Sequence, residues 1–147
     1  MSILNKKEVK NLLKVFEKQF GFSSNLDYLF FKAKDKIYIL SKKFGEVDLR
    51  GVNVANKGLY FCKIEKSGIR LSIEGSQLIG DRCSKGVYSL NEEEFKKWMT
   101  GEDVEANVSE KFLIMKYKED YLGCGIFAKG EILNFVAKGR RVKAESF

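Results

Sequence analysis

Hydrophobic positions near the start of the chain follow the period of an amphipathic helix. Apolar side chains recur at intervals of three and four residues from Val9 to Phe20, so that one face would pack on a core. Asn5 and Glu8 have the spacing of a capping box, and Gly21 supplies a stop signal after the last apolar position. The pattern therefore predicts a helix between Asn5 and Gly21.

From residue 26 the period becomes that of β-strands. β-branched and aromatic residues are concentrated in four short runs, at residues 28–33, 37–41, 58–64 and 69–73. Turn residues separate the members of each pair, so these runs predict two β-hairpins. Alternating valine and leucine between the hairpins is compatible with one more short strand at residues 50–54, and residues 75–80 predict a short helical turn.

The second half of the chain begins with another helix and continues into three strands. Asn91 and Glu94 repeat the capping-box spacing, and Gly101 supplies the stop signal. Trp98 lies on the apolar stripe of this helix, so we expect its side chain to be buried. Runs of β-branched and aromatic residues then predict a three-stranded antiparallel meander over residues 112–117, 121–128 and 132–136.

A stretch without periodicity separates the two halves. Residues 80–86 are small and polar, which is typical of a domain boundary. We therefore predict an α/β domain over residues 1–82 and a second domain over residues 83–147. Since each half combines a helix with antiparallel strands, the predicted fold class is α+β.

Two glycines interrupt the middle strand of the meander. Gly123 and Gly125 flank Cys124, and a glycine inside a strand indicates a bulge or a close approach of other atoms to the backbone. A bend that closes a small barrel is the simplest explanation of this pair.

A basic segment follows the last predicted strand. It contains four cations in six residues and no acid, at Lys138, Arg140, Arg141 and Lys143. Such a cluster at the edge of a sheet is a candidate for binding phosphate groups, and strand-like alternation would place Arg140 and Arg141 on opposite faces. We group Lys129, in the preceding turn, with these cations.

Tyr121 is a candidate for stacking on bases, as is Phe135, although we expect Phe135 to pack in the core.

The glycine pair and the basic segment together resemble a known family. Leu-Gly-Cys-Gly at 122–125 and Asn-Phe-Val-Ala-Lys-Gly-Arg-Arg at 134–141 resemble the carboxy-terminal end of PUA domains. The likeness is to PUA domains attached or related to the Nol/Nop/Sun (Fmu) class of RNA cytosine-5 methyltransferases. A helix followed by Gly-Glu-Asp-Val at 101–104 is similar to the opening of that fold. The resemblance implies a small β pseudo-barrel that binds structured RNA, either ribosomal or transfer RNA, without catalysing a reaction.

The first half also has a likeness to a known domain. Its capped helix and antiparallel strands, ending at residues 70–75, look like the pre-PUA domain of small ribosome-biogenesis proteins of the Nip-seven type. Those proteins join such a domain to a PUA domain. The resemblance therefore implies a pre-PUA domain followed by a PUA-like pseudo-barrel, and a role in ribosome assembly.

Composition favours an acidic partner. The chain has 27 Lys and Arg against 20 Asp and Glu, which gives a formal net charge of +7. Nucleic acid is the commonest partner of such a charge. The alternatives are that the charge serves solubility alone, or that it reflects the Lys and Glu enrichment of a heat-adapted protein. Four lysines on the polar face of the first helix, at positions 7, 10, 14 and 18, favour a solvated face, with RNA contact as the alternative.

Candidate catalytic groups are few. The chain contains no histidine, which is the commonest general base, and no proline, which stands beside the nucleophilic cysteine of the Nol/Nop/Sun enzymes. Cys62, Cys83 and Cys124 are scattered and odd in number, so they fit neither a disulfide framework nor a zinc site. Without a histidine beside it, Cys124 is expected to be an inert thiol. We therefore expect no enzymatic activity, no cofactor and no metal.

These observations predict a non-catalytic RNA-binding protein that positions ribosomal or transfer RNA for a partner. The partner would be a separate RNA methyltransferase or a ribosome-assembly factor. Two alternatives stay open: an adaptor between proteins for which RNA binding is incidental, and an accessory subunit of an RNA cytosine methyltransferase. No stretch of the sequence is long and apolar enough to cross a membrane, and the first residues lack a signal-peptide core, so we expect a cytoplasmic protein.

Overall fold

The structure is a computed structural model that describes residues 2–42 and 58–147 of the chain. These residues form two five-stranded sheets and three α-helices, which is an α+β fold. The short strand suggested for residues 50–54 lies outside the described residues. None of the described helices combines the length and the apolar character that crossing a membrane requires.

The first sheet is antiparallel throughout, and its five strands lie side by side in the order in which they follow along the chain. Both predicted hairpins are confirmed, and the two-residue strand at the amino-terminal edge is the one strand in the described residues of this half that the sequence patterns missed. The elements of this half are β1 (Ser2–Ile3), α1 (Lys6–Phe20), β2 (Tyr28–Ala33), β3 (Lys36–Ser41), β4 (Leu59–Glu65) and β5 (Gly68–Leu71).

Helix α1 has the predicted ends. The Asn5 side chain accepts a hydrogen bond from the backbone N–H of Glu8, and the Glu8 carboxylate accepts one from the backbone N–H of Asn5. Such a cap stabilises a helix by about 1 kcal/mol. Gly21 ends the helix in the left-handed conformation, with φ +62°. The predicted helix is therefore confirmed, with Phe16 and Phe20 fully buried on its apolar face.

The second sheet has the strand order β6 (Val87–Ser89), β8 (Phe112–Tyr117), β9 (Asp120–Ala128), β10 (Glu131–Leu133) and β7 (Val104–Glu105). Strands β8, β9 and β10 form the predicted antiparallel meander, although β10 ends at Leu133 rather than at 136. The parallel pairing of β6 with β8 and the edge strand β7 were not predicted. Two helices accompany these strands: α2 (Ile73–Ile79) precedes β6, and α3 (Glu92–Met99) lies between β6 and β7.

Trp98 attaches helix α3 to the second sheet. Its side chain is buried, as predicted, and its indole N–H donates a hydrogen bond to the carbonyl of Leu122 over 3.0 Å. A buried indole needs such an acceptor, since leaving its N–H unpaired costs free energy. The capping box of Asn91 and Glu94 is also confirmed at the start of this helix.

The largest apolar cluster in the described residues includes side chains from both sheets. Phe16, Phe61 and Leu71 of the first half pack with Ile114 and Cys124 of the second. The boundary proposed at residues 82 and 83 therefore lies between two sheets that share a core, and its position stays a prediction.

Helix α2 connects the two halves of this shared core. The Ser76 hydroxyl is fully buried and accepts a hydrogen bond from the backbone N–H of Gly123 over 2.9 Å. Gly123 has φ +97°, in a region that favours glycine. The pairing register shifts there, so that Leu122 and Gly123 of β9 face the single residue Met115 of β8. A β-bulge thus turns a backbone N–H of β9 toward α2.

Gly125 allows close packing of β9 on β10 and α3. A Cβ atom at this position would lie 2.3 Å from Ile132 Cγ2 and 3.0 Å from Trp98 Cη2, both of which are buried. These groups can move only by disturbing the second core, in which both are packed.

We predict that Gly125→Ala lowers the free energy of unfolding by about 1–3 kcal/mol, because the added methyl group overpacks this core. Gly139→Ala is the matched control, since a Cβ atom there meets nothing within 4 Å. Urea unfolding followed by tryptophan fluorescence measures both variants. Equal stability of the two variants would contradict the packing described for Gly125.

Candidate nucleic-acid interface

A cleft of about 220 Å³ opens where the two halves meet. Strands β4 and β5, helix α2, the bulge of β9 and the segment after β10 all contribute to its walls. The polar and aromatic side chains that line it are Tyr60, Arg70, Ser72, Glu74, Trp98, Phe135 and Arg140. The cleft therefore contains residues from both halves of the chain.

Arg70 reaches the cleft because of strand alternation. Its neighbours Ile69 and Leu71 are buried in the shared core, so the side chain of Arg70 projects from the opposite face of β5. Its guanidinium carbon lies 4.1 Å from the centre of the Phe135 ring, which is a cation–π contact. Its Nε also donates a hydrogen bond to a carboxylate oxygen of Glu65 over 3.1 Å.

Phe135 is exposed, so the expectation that it packs in the core was wrong. Asn134 explains the difference. Its side-chain amide donates to the carbonyls of Trp98 and Glu102, each over 2.9 Å, and its side-chain oxygen accepts from the backbone N–H of Val136. These bonds hold the segment so that Val136 is buried and 40% of Phe135 remains exposed.

Arg140 lines the cleft, but its charge is partly neutralised. The guanidinium pairs with the carboxylate of Glu74, which lies in the first turn of α2. Arg140 belongs to a 3₁₀ turn, Lys138–Arg140, and not to a strand, so the expected alternation of Arg140 and Arg141 was wrong. The chain leaves the sheet at Leu133, and strand geometry therefore does not reach the basic segment.

Arg141 packs against the end of α3. Its Nε donates to the carbonyl of Val136 over 3.0 Å, and its guanidinium lies where a Cβ atom of Gly101 would be. The backbone N–H of Val142 donates to the carbonyl of Met99 next to it. Arg141 thus helps to attach the basic segment to the body of the second half.

The other predicted site residues are dispersed. Lys138 and Lys143 are exposed and form no ion pair with the residues that the structure describes. Lys129 is exposed in the turn between β9 and β10. Tyr121 is partly buried against Gly80, and neither it nor Lys129 lines the cleft. Their part in binding stays a prediction.

Sequence patterns did not identify Tyr60, Arg70 and Glu74 as site residues. A charged Arg70 between two apolar strand residues indicates a polar face, but nothing local indicates that Phe135 lies over it. The same holds for Glu74, which is 66 residues from Arg140 along the chain. Only the packing of α2 and β5 beside the segment after β10 brings these groups together.

Cys124 also lines the cleft, yet its environment opposes nucleophilic chemistry. Burial raises its pKa to about 12. Burial likewise raises the pKa of Cys62, and it raises the pKa of Cys83 to about 11 despite the nearby Arg82 guanidinium. Within residues 2–42 and 58–147, no three acidic or cysteine side chains are grouped so that they could hold a metal ion.

Comparison with known proteins supports the resemblance seen in the second half. Residues 85–142 match the family model described as the methyltransferase RsmF PUA domain. This match confirms the likeness to PUA domains of Nol/Nop/Sun-related proteins over that part of the chain. It includes the whole second sheet and the basic segment up to Val142.

A longer relative is similar to both halves of the chain. It is the ribosomal RNA small subunit methyltransferase F of Aeromonas salmonicida (strain A449), and it is 28% identical over 137 residues. The alignment covers 90% of this chain but only 28% of the relative, so this chain spans little more than a quarter of that protein's length. The likeness of the first half to Nip-seven-type proteins is not tested by these matches.

We predict that iodoacetamide leaves Cys124 and Cys62 of the folded protein unmodified at pH 8. The thiolate is the reactive form, and a raised pKa reduces its fraction. The rate at which iodoacetamide modifies Cys83 should rise about tenfold per pH unit between pH 8 and 10, because the pKa of Cys83 is raised to about 11. Peptide mass spectrometry of native and guanidinium-unfolded samples measures labelling. Rapid labelling of Cys124 in the folded protein at pH 7 would contradict the conclusion that its thiol is unreactive.

Proposed function

We propose that this chain is a non-catalytic RNA-binding protein of ribosomal RNA modification, and that it holds structured RNA for a methyltransferase. The observation that carries the proposal is the exposed basic segment beside the cleft, of which all but Lys143 lies within the PUA-matched residues. Ribosomal RNA is the expected ligand because the relative is named for it, and transfer RNA is the alternative.

Phosphate contacts would supply most of the affinity. Lys138 and Lys143 are exposed and free of acidic partners in the part of the chain that the structure describes, so both ammonium groups can reach an RNA backbone. Cations that replace counterions along RNA make binding strongly dependent on salt. The net charge of +7 adds a longer-range attraction to the same ligand.

The side chains favour binding over catalysis. No histidine is available as a general base, and the thiols have raised pKa values. The acidic run at the start of α3 has a structural use, since Glu94 completes a capping box and negative charge near a helix N-terminus is stabilising. We therefore propose that methyl transfer takes place at a catalytic centre outside these 147 residues, in the cytoplasm.

An adaptor between proteins is the second candidate, and exposed apolar residues favour it. Ile3 is 54% exposed and Ile64 is 36% exposed, and Ile64 lies at a groove of about 360 Å³ between α1 and the first sheet. Salt separates the two candidates. RNA binding through phosphates weakens linearly with the logarithm of salt concentration, whereas an apolar interface between proteins does not.

We predict that Lys138→Glu with Lys143→Glu lowers the affinity for a structured ribosomal RNA fragment by on the order of tenfold at low salt. The slope of log affinity against log salt should also become shallower by about 1.4–1.8, the value for two lost phosphate contacts. Fluorescence anisotropy titrations over a range of KCl concentrations measure both quantities. The melting temperature should be unchanged, because both side chains are exposed.

The matched control carries the same charge change on the first half of the chain. Lys34 and Lys66 lie in exposed hairpin turns of the first sheet, so Lys34→Glu with Lys66→Glu alters the net charge equally. We expect this control to retain most of the affinity. Equal losses in the two double variants would show that net charge, and not the basic segment, determines binding.

We further predict that Glu74→Gln increases the affinity for the same RNA. The substitution keeps the shape of the side chain but removes the charge that pairs with Arg140. One additional cation then becomes available to phosphate, and the salt slope should become steeper by about 0.7–0.9. Titrations at several KCl concentrations test this. An unchanged slope would indicate that Arg140 does not reach the RNA backbone.

A further inference from the structure

The charges inside the cleft are balanced, unlike those beside it. Arg70 pairs with Glu65, and Arg140 pairs with Glu74. A phosphate group entering the cleft would meet the Glu74 carboxylate beside Arg140, and the charge of Arg70 is already paired with Glu65, which does not itself line the cleft. The cleft therefore suits a neutral ligand, whereas the exposed Lys138 next to it suits a phosphate.

The cleft also presents an aromatic surface in a fixed position. The Arg70 guanidinium lies over one face of the Phe135 ring, and 40% of Phe135 remains accessible to a ligand. Asn134 holds the backbone on either side of Phe135 through its four hydrogen bonds to Trp98, Glu102, Asp103 and Val136. Little conformational entropy would be lost when a flat ligand stacks there.

Size limits the ligand further. The cleft volume of about 220 Å³ is below the roughly 300–1,000 Å³ that is usual for sites of drug-sized ligands, and it suits one ring system. Glu74 offers hydrogen-bond acceptors beside the donors of Arg140, an arrangement that matches the mixed donors and acceptors on the Watson–Crick edge of a base. Tyr60 also belongs to the wall of the cleft.

We propose that the cleft binds a single unpaired nucleobase, stacked on Phe135, while the flanking phosphates contact Lys138. This inference rests on the proposed RNA-binding function and specifies its ligand as RNA with a base extruded from a helix. Unpaired bases stack readily on aromatic side chains, and every base has a face that can do so. The protein would thus select RNA by inserting one base into the cleft and by contacting the phosphate backbone of the adjoining RNA helix.

Three RNA hairpins of one stem sequence test the proposal. One hairpin carries a single bulged adenosine, the second carries an abasic nucleotide in the bulge, and the third is fully paired. The full chain should bind the adenosine bulge about tenfold more tightly than the other two, which should bind alike. The abasic hairpin separates insertion of a base from flexibility of the bulged backbone.

Two variants at Phe135 assign the preference to the cleft. The variants are Phe135→Ala and Phe135→Leu, and the second keeps the apolar bulk but has no aromatic face. Each variant should bind all three hairpins equally. The affinity should be that of the unaltered chain for the fully paired hairpin. Phe147→Ala is the matched control, since Phe147 is 48% exposed but does not line the cleft, and it should keep the tenfold preference. Thermal unfolding of each variant verifies that the fold is retained.

The outcomes separate this inference from the function on which it rests. Equal, salt-dependent binding of all three hairpins by the unaltered chain would overturn base insertion and leave RNA binding in place. Failure to bind any hairpin or ribosomal RNA fragment would overturn the proposed function and this inference with it. A preference for the adenosine bulge that persists in Phe135→Ala and Phe135→Leu would place the base outside the cleft and overturn the proposal.

Discussion

The hydrogen bond between the buried Ser76 hydroxyl and the backbone N–H of Gly123 holds the arrangement on which the cleft depends. It joins α2, which follows the first sheet, to the bulge of β9 in the second sheet. The bond can form because Gly123 adopts φ +97° and has no Cβ atom. A Cβ atom at this position would crowd Ile73 of α2. Breaking it would leave the backbone N–H of Gly123 without this acceptor inside a buried region, which is costly, whereas the Ser76 hydroxyl would keep its hydrogen bond to the carbonyl of Ile73. The relative placement of Glu74, on α2, and the second half follows from this contact.

Charge in this protein illustrates how a cluster in sequence differs from a cluster in space. The four cations of the basic segment are neighbours along the chain, yet they have three different environments. Arg140 is paired with Glu74, Arg141 packs on Gly101, and Lys138 and Lys143 remain exposed. The basic segment is uniform in charge, but its residues differ in role. Arg140 and Arg141 make contacts within the fold, whereas Lys138 and Lys143 can attract an acidic ligand.

The cleft extends beyond the residues that match the PUA-domain model. That match covers residues 85–142, whereas Tyr60, Arg70 and Glu74 lie before it. The similarity to the longer methyltransferase covers 90% of the chain and so includes much of the first half as well. Because the two sheets share a core, the first half acts as one wall of the surface on which the second half presents its aromatic ring. Recognition by such a surface would depend on both halves.

The sequence by itself determined the features that depend on neighbouring residues. Both capped helices, both hairpins, the meander and the burial of Trp98 follow from periodicity, caps and turns, and short glycine-led motifs carried the likeness to PUA domains. The tertiary structure alone decided that Phe135 is exposed, that Arg70 lies over one face of its ring and that Arg140 pairs with Glu74. The physical reason is distance along the chain: Arg140 and Glu74 are 66 residues apart, and no local preference encodes a contact that arises only when α2 and the segment after β10 pack side by side.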